Sequence, residues 1–191
     1  IIIYLKMKIM IRHNQPQGFT LIELLIVIGV LGILAAGLLA AVDPFEQLKK
    51  GRDSNTRNQV VELHNGFIRY YATHGDLPWN DDACVADFSG GPLTLDALNT
   101  AGCIDPLITD GELKPDFMSA VGSGTAGNIY INSPSAVSLS ICFEPASKSV
   151  FADAGTRYSQ DGQTDLSATT CTTENKATIG PGTAACYWCA K

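Results

Sequence analysis

Three residues near the start of the chain combine reactive chemistry with an unusual position: Gly18, Phe19 and Glu23. Glu23 stands at the beginning of an apolar run, and residues 24–42 contain no charged side chain. An ionised side chain near the middle of a bilayer costs about 2.5–3.5 kcal/mol on insertion scales. The position of Glu23 therefore predicts a buried carboxylate that has a cationic partner.

A cut after Gly18 would create that cation, because Phe19 would acquire a free amine beside apolar side chains. An amine and a carboxylate attract each other far more strongly in low dielectric than in water. Phe19 and Glu23 are one helical turn apart, so the pair can form within one chain, whereas packed copies would offer the amine of a neighbouring subunit. Both arrangements are open, and removing one member of a buried pair typically costs roughly 3–5 kcal/mol.

Residues 18–28, Gly-Phe-Thr-Leu-Ile-Glu-Leu-Leu-Ile-Val-Ile, resemble the class III signal of type IV pilins and of type II secretion pseudopilins. The resemblance implies that prepilin peptidase cuts between Gly18 and Phe19 and methylates Phe19. It also implies that Glu23 neutralises the amino terminus of a neighbouring subunit during assembly. An ordinary secretory signal peptide or a plain membrane anchor explains neither the glycine–aromatic junction nor the embedded acid.

Residues 1–18 are interpreted as the prepilin leader, and the first few apolar residues make Met7 or Met10 the expected true start. Three cations and no acid precede Glu23, namely Lys6, Lys8 and Arg12. This asymmetry predicts an N-terminus inside the cytoplasm, with everything after Val42 outside the membrane. Loss of the leader would move the net charge from −6 to about −9 by removing those three cations.

Two helical segments are expected to position these residues. Residues 19–42 form the predicted transmembrane half of a long N-terminal helix, and residues 43–75 an amphipathic half outside the membrane. Between them, Asp43 has the character of an N-cap, Pro44 suits the first helical position, and Glu46 follows at the third. Proline also removes a backbone hydrogen bond, so the sequence predicts a kink or short break at Asp43 and Pro44.

The amphipathic half has apolar side chains near one face at three- and four-residue steps: Phe45, Leu48, Val60, Leu63, Phe67, Tyr70 and Tyr71. The opposite face is charged: Lys49, Arg52, Asp53, Arg57, Glu62 and Arg69. Residues 51–58 contain almost no apolar side chain and are expected to be solvated or to face neighbouring subunits. Gly75 is the expected C-cap, and Pro78 prevents the helix from resuming.

Residues 76–191 are predicted to form a globular head. Strand patterns occur at residues 128–132, 137–143 and 185–189, and alternation in the second predicts that Val137, Leu139, Ile141 and Phe143 face the core. Residues 146–182 are polar and are interpreted as a long surface loop. The predicted fold class is α+β, with a small antiparallel sheet packed against the long helix, as in the family resembled.

Six cysteines in a domain outside the cytoplasm suggest a disulfide framework, although six allow fifteen pairings. Cys84 and Cys103 share the segment after the long helix and form one expected pair. A bond between Cys171 and Cys186 would correspond to the C-terminal disulfide of many pilins, and Cys142, on the non-core face of its strand, could then meet Cys189. These last two pairings could be exchanged. The closing Cys-x-x-Cys lacks the context of a redox or zinc site.

No cofactor is expected, with calcium as the one alternative. Major pseudopilins bind calcium in a late loop, and Asp161 and Asp165 are the candidate ligands here. Solvated loop acids are the favoured interpretation of both residues.

The leading hypothesis is a structural subunit of a type IV pilus-like filament, and the alternative is a pseudopilin of a type II secretion system. A membrane-anchored extracellular enzyme or binding protein is a third, without any catalytic constellation to support it. The expected partners are further copies of the chain, prepilin peptidase, an inner-membrane assembly platform and lipid. A net charge of −6 argues against nucleic acid. The expected location is the cytoplasmic membrane before assembly, then an extracellular filament or a periplasmic pseudopilus.

Overall fold

The computed structural model describes residues 18–41, 43–80 and 83–191. Residues 1–17 of the predicted leader, including Met7 and Met10, lie outside the described residues, and so does Val42. The chain divides into two compact units, Ile1–Asp43 and Pro44–Lys191. The boundary between the units coincides with the Asp43-Pro44 junction at which the sequence predicts a kink.

The first unit contains a single described helix, α1 (Leu21–Ala41), built from leucine, isoleucine, valine, alanine and glycine apart from Glu23. Its 21 residues correspond to about 30 Å at 1.5 Å per residue, the thickness of a bilayer core. Within the described residues, Leu21–Leu39 is the one stretch long and apolar enough to cross a membrane, and none of it is buried.

The second unit begins with α2 (Pro44–His74). Its first residue is proline, which lacks an N–H group that the first helical turn would leave unpaired in any case. Val60, Leu63, Phe67 and Tyr70 are buried, as the three- and four-residue spacing predicts. The helix ends at His74 because Gly75 adopts a φ of +85° and its N–H donates to the Tyr71 carbonyl at 2.8 Å.

The apolar face of α2 does not enter the core along its whole length. Phe45 is 72% exposed and Leu48 is 61% exposed. The core therefore begins at Val60, and the first four turns of α2 contact the head through polar groups instead.

The described residues form a five-stranded antiparallel sheet in the order β1-β2-β3-β5-β4. Its strands are β1 (Leu93–Thr94), β2 (Ile129–Ser135), β3 (Ser138–Phe143), β4 (Thr156–Tyr158) and β5 (Tyr187–Ala190). The long helices and the small antiparallel sheet confirm the α+β class. The short strands β1 and β4 carry too few residues to show an alternating pattern in the sequence.

The connection between β2 and β3 is shorter than the four residues, 133–136, that the strand patterns leave between them. Residues 133–135 belong to β2, and the turn consists of residues 136–137. Val137 lies in this turn and is 75% exposed. Its expected place in the core was therefore wrong, whereas Leu139, Ile141 and Phe143 are buried as predicted.

Short helices complete the head between α2 and β2. They are α3 (Leu95–Thr100), α4 (Asp105–Thr109), α5 (Phe117–Val121) and α6 (Ser123–Ala126). Leu95, Leu98 and Leu107 from these helices are fully buried against the α2 face and the sheet. The segment that follows Trp79 thus contributes core side chains in addition to its loops.

Residues 146–182 are not the long surface loop that their polar composition predicts. They contain α7 (Lys148–Phe151), β4 and α8 (Thr173–Ile179). Phe151, Cys171 and Cys186 form a second apolar cluster, with Leu166 and Ala185 packed against it. The prediction was wrong because one aromatic side chain and one disulfide anchor this segment. So few apolar residues give no periodic pattern in the sequence.

Three disulfides account for all six cysteines: Cys84–Cys103, Cys142–Cys189 and Cys171–Cys186. The first is the expected pair, and the other two are one of the two arrangements that the sequence left open. Cys142 and Cys189 are directly opposite on β3 and β5. Cys142 is fully buried although it points away from the main core. The turn at Gly162 covers it, since a Cβ added to Gly162 would lie 3.0 Å from the Cys142 sulfur.

The buried phenol of Tyr187 generates a prediction about alkaline stability. Burial raises the pKa of Tyr187 to about 12, and the nearby Glu144 and Tyr130 add to the shift. The folded state thus holds this proton more tightly than the unfolded state, whose tyrosine pKa is near 10. The resulting contribution to stability is fully present below pH 10 or so and is lost as pH rises toward about 12.

Ultraviolet titration of tyrosinate should therefore show one tyrosine that ionises late, together with unfolding. The late step should disappear in Tyr187→Phe. Persistence of the same step in that variant would show that another group is responsible.

Candidate functional site

The predicted processing bond lies in an accessible segment. Gly18, Phe19 and Thr20 precede α1 and are all exposed. A Cβ added to Gly18 would meet no atom of the described residues within 4 Å. Proteases act most readily on exposed non-helical segments, so the local structure is compatible with cleavage between Gly18 and Phe19.

Thr20 and Glu23 form a reciprocal cap at the start of α1. The Thr20 backbone N–H and its hydroxyl both donate to Glu23 Oε2 at 2.8 Å. In return, the Glu23 N–H donates to Thr20 Oγ1 at 3.3 Å. This is a capping box, which satisfies N–H groups that the helix itself leaves unpaired.

Glu23 therefore has a local structural role that the charge argument missed. The signal was present in the sequence as Thr-x-x-Glu immediately before an apolar run. Thr20 is neutral, so the cap gives the carboxylate hydrogen bonds and leaves its charge in place. Both hydrogen bonds that Glu23 accepts from Thr20 end on Oε2, and neither uses Oε1.

At the junction of the two units, α1 ends at Ala41 and α2 begins at Pro44, with Asp43 in neither helix. The kink at Asp43 and Pro44 stays a prediction. Glu46, in the first turn of α2, accepts a hydrogen bond from the Lys148 N–H at 3.0 Å and pairs with Lys49 at 3.4 Å. The hydrogen bond from Lys148 is the main cause that holds the pKa of Glu46 below its usual value.

The sequence pattern assigned Asp53 to the solvated, charged face of α2. This prediction is wrong, because Asp53 is 4% exposed. Its Oδ1 accepts from the Ala146 N–H at 3.0 Å. Its Oδ2 accepts from the N–H and the hydroxyl of Ser147 at 2.7 and 2.6 Å. A carboxylate with three donors can be buried without a cation, and it anchors the start of α7 on α2.

Arg57, one turn beyond Asp53, extends this anchor. Its guanidinium lies 3.7 Å from an Asp153 carboxylate oxygen and 4.5 Å from the centre of the Trp188 ring. Glu46, Asp53 and Arg57 are spaced seven and four residues apart, so they share one face of α2. This polar face, which we call the anchor stripe, binds the segment between β3 and β4.

The calcium alternative finds no support in the described part of the chain, where no group of three or more His, Cys, Asp or Glu side chains could hold a metal ion. The two candidate acids make local contacts. Asp161 Oδ1 accepts from the Gln163 N–H at 3.0 Å. Asp165 accepts from the Ser167 N–H at 2.9 Å and pairs with Arg157 at 3.3 Å. These bonds stabilise the turns that contain the two acids.

Comparison with known proteins identifies the N-terminal segment. Residues 14–39 match a family model described as the prokaryotic N-terminal methylation motif. A type IV major pilin protein of Neisseria gonorrhoeae is 40% identical over 81 residues, which cover 39% of this chain and 34% of the relative.

Two fimbrial proteins of Neisseria meningitidis, from serogroups B and A, are each 37% identical over 76 residues, covering 36% of this chain and 39% of the relative. The chain thus spans between 34% and 39% of the length of these curated relatives. No solved structure matches. The relatives are pilus or fimbrial proteins and not enzymes, and the matches support the type IV pilin and pseudopilin superfamily.

The buried carboxylate of the anchor stripe generates the second prediction. Asp53→Ala would leave the N–H and the hydroxyl of the buried Ser147 without an acceptor and would remove the partner of the Ala146 N–H, so the free energy of unfolding should fall by about 2–4 kcal/mol. Hydrogen exchange should also lose protection at the amides of Ala146 and Ser147. Glu62→Ala, at an exposed position of the same helix, is the matched control and should change stability by less than about 0.5 kcal/mol. Equal effects of the two substitutions would contradict the anchoring role of Asp53.

Proposed function

We propose that this chain, a pilin-like subunit of the type IV pilin and pseudopilin superfamily, assembles into a type IV pilus-like filament through its N-terminal helix. One observation carries the proposal: the N-terminal methylation motif, residues 14–39, includes an apolar helical stretch, Leu21–Leu39, of which no part is buried. Such a helix must be covered either by lipid or by other apolar helices. A filament subunit needs both environments in turn, first the membrane and then its neighbours.

Maturation is the first proposed step. Prepilin peptidase would cut the Gly18–Phe19 bond and methylate the new amine of Phe19. The accessible, non-helical segment before α1 supports this assignment. The mature chain would then begin two residues before the first residue of α1.

Assembly is the second proposed step, and it depends on Glu23. Both capping contacts use Oε2, so Oε1 can accept a hydrogen bond from the methylated amine of a neighbouring subunit. The cap would fix the rotamer of Glu23, and the amine would neutralise its charge. A pair of this kind in an apolar surrounding selects one axial register between helices, because every other register leaves two charges unpaired.

The proposed location follows from the same residues. Before assembly the chain would be a single-pass protein of the cytoplasmic membrane with its N-terminus inside, and afterwards part of an extracellular filament. Its proposed partners are further copies of itself, prepilin peptidase, an inner-membrane assembly platform and membrane lipid.

A pseudopilin of a type II secretion system is the second candidate. The end of α2, where Tyr70 and Tyr71 precede the Gly75 cap and Pro78, resembles the helix exit of pilins and of major pseudopilins, so it keeps this second candidate open. The pilin and fimbrial names of the curated relatives favour the pilus. Electron microscopy of producing cells separates the two, because only a pilus subunit would yield long surface filaments that disappear when the gene is deleted.

Substitution of Gly18 tests the processing step. Gly18→Ala should slow cleavage modestly, whereas Gly18→Leu should block it, because the peptidase would have to accommodate a bulky side chain beside the bond. Among the described residues, no atom lies within 4 Å of a Cβ added to Gly18, so neither change should disturb the fold. Intact-mass spectrometry would report both removal of the leader and the added methyl group. Normal processing of Gly18→Leu would refute the assignment of this bond.

Substitution of Glu23 tests the assembly charge separately from the cap. Glu23→Gln keeps an oxygen that can accept the capping bonds but removes the charge, while Thr20→Val removes the hydroxyl of the cap and keeps the charge. Loss of one member of a buried pair, at roughly 3–5 kcal/mol, predicts at least tenfold less filament from Glu23→Gln and from Glu23→Val, with processing intact. Thr20→Val should assemble nearly normally.

Immunoblotting of sheared filaments against total processed subunit would measure this ratio. If Thr20→Val lost as much filament as Glu23→Gln, the cap and not the charge would explain assembly. Normal filaments from Glu23→Gln would disprove the proposed charge pair.

A further inference from the structure

A cavity of about 310 Å³ lies between the short helices α7 and α8. Its lining includes Lys148, Phe151, Lys176, Ala177 and Pro181. Most of these residues offer apolar surface, with the buried Phe151 ring on one side and Ala177 and Pro181 on the other. Neither pilus assembly nor leader processing requires a cavity in this part of the head.

The charged side chains that line this cavity are Lys148 and Lys176. The carboxylates that interact with them, Glu46 and Asp153 respectively, lie outside the lining. The chain as a whole is acidic, with a net charge of −6. The two lysines thus give the cavity a charge opposite in sign to the net charge of the protein, which favours an anionic occupant.

Lys176 is the more informative of the two lysines. It is 6% exposed, and its ammonium donates to the Asp153 carbonyl at 2.6 Å. An ammonium has three donors, and this is its one hydrogen bond within the described residues. Burial lowers the pKa of Lys176, and the Asp153 carboxylate opposes that effect. A buried cation with unused donors is costly, and an anion in the cavity would relieve that cost.

The walls of the cavity are fixed by covalent and capping interactions. The Cys171–Cys186 disulfide holds the chain immediately before α8. Thr172 caps that helix by accepting from the Asn175 N–H at 3.2 Å, and Ser147 caps α7 by accepting from the Val150 N–H at 3.3 Å. A cavity held in this way can bind a ligand with little loss of conformational entropy.

We propose that this cavity binds a small carboxylate with an apolar body. The carboxylate would accept hydrogen bonds from the buried Lys176 and from Lys148, and the apolar body would lie against Phe151, Ala177 and Pro181. The volume is at the lower end of the range for ligand sites, about 300–1,000 Å³, which fits a single ring or a short branched chain. The occupant is a diffusible small molecule, and a neighbouring protein segment is the competing possibility.

A matched pair of probes tests the charge requirement. The full chain in detergent micelles would be titrated with 3-phenylpropionate and with its neutral isostere 3-phenylpropionamide, and binding followed by ligand-observed saturation-transfer NMR. The carboxylate should bind saturably and at least tenfold more tightly than the amide. Equal binding of the two probes, or no saturable binding of the carboxylate, would overturn the proposal.

Two variants locate the site. Lys176→Met keeps the aliphatic stem and removes the charge, and it should weaken 3-phenylpropionate binding at least tenfold. Lys50→Met, at an exposed lysine of α2 outside the cavity lining, is the matched control and should bind as the parent does. Unchanged binding in Lys176→Met would overturn the assignment.

Ala177→Leu covers the case in which Lys176→Met fails to fold. This position is on the exposed side of α8, and the larger side chain should fill the cavity and abolish binding while both lysines remain. If Ala177→Leu instead weakened self-association of the chain, and the carboxylate did not bind the parent, a second copy would be the occupant and the small-molecule proposal would be wrong.

Discussion

An apolar helix that starts with a carboxylate is the constraint on which the rest of this molecule depends. No side chain of α1 from Leu21 to Leu39 is buried, so its apolar surface has to be covered by lipid or by other helices. Lipid accepts the apolar surface but penalises the charge of Glu23. In the proposed filament, a neighbouring helix with a cationic end would accept both, so association with like helices would be more favourable than isolation in the membrane.

The capping box and the proposed ion pair are compatible because they differ in magnitude and in the atoms they use. Loss of an N-cap typically costs about 1 kcal/mol, whereas loss of one member of a buried ion pair costs roughly 3–5 kcal/mol. Thr20 contacts Glu23 Oε2, and the amine would approach Oε1. The smaller interaction therefore orients the carboxylate that the larger one needs, and it does so before any neighbour arrives.

The features that could be predicted from the sequence are those that neighbouring residues determine. Composition defines α1, three- and four-residue spacing defines the buried face of α2 from Val60 onward, and Gly75 ends that helix. Asp53 could not be placed, because its partner Ser147 is 94 residues away and the surrounding sequence is polar. The prediction of a surface loop at residues 146–182 was wrong for the same reason. Distant contacts and a disulfide hold this segment, and neither produces a periodic apolar pattern in the sequence.

The anchor stripe explains how the head is held without the apolar surface at the start of α2. Glu46, Asp53 and Arg57 bind the segment after β3 through hydrogen bonds and an ion pair, and Arg57 also lies over the Trp188 ring of β5. Phe45 and Leu48 are 72% and 61% exposed. Buried charge-assisted hydrogen bonds are directional, so they fix the position of the head more strictly than apolar contact would. Polar groups of α2 thus hold the chain's own head, while the apolar contacts of this helix with the core begin at Val60. In the proposed filament, an exchange of lipid for protein around α1 would leave these polar contacts of α2 in place.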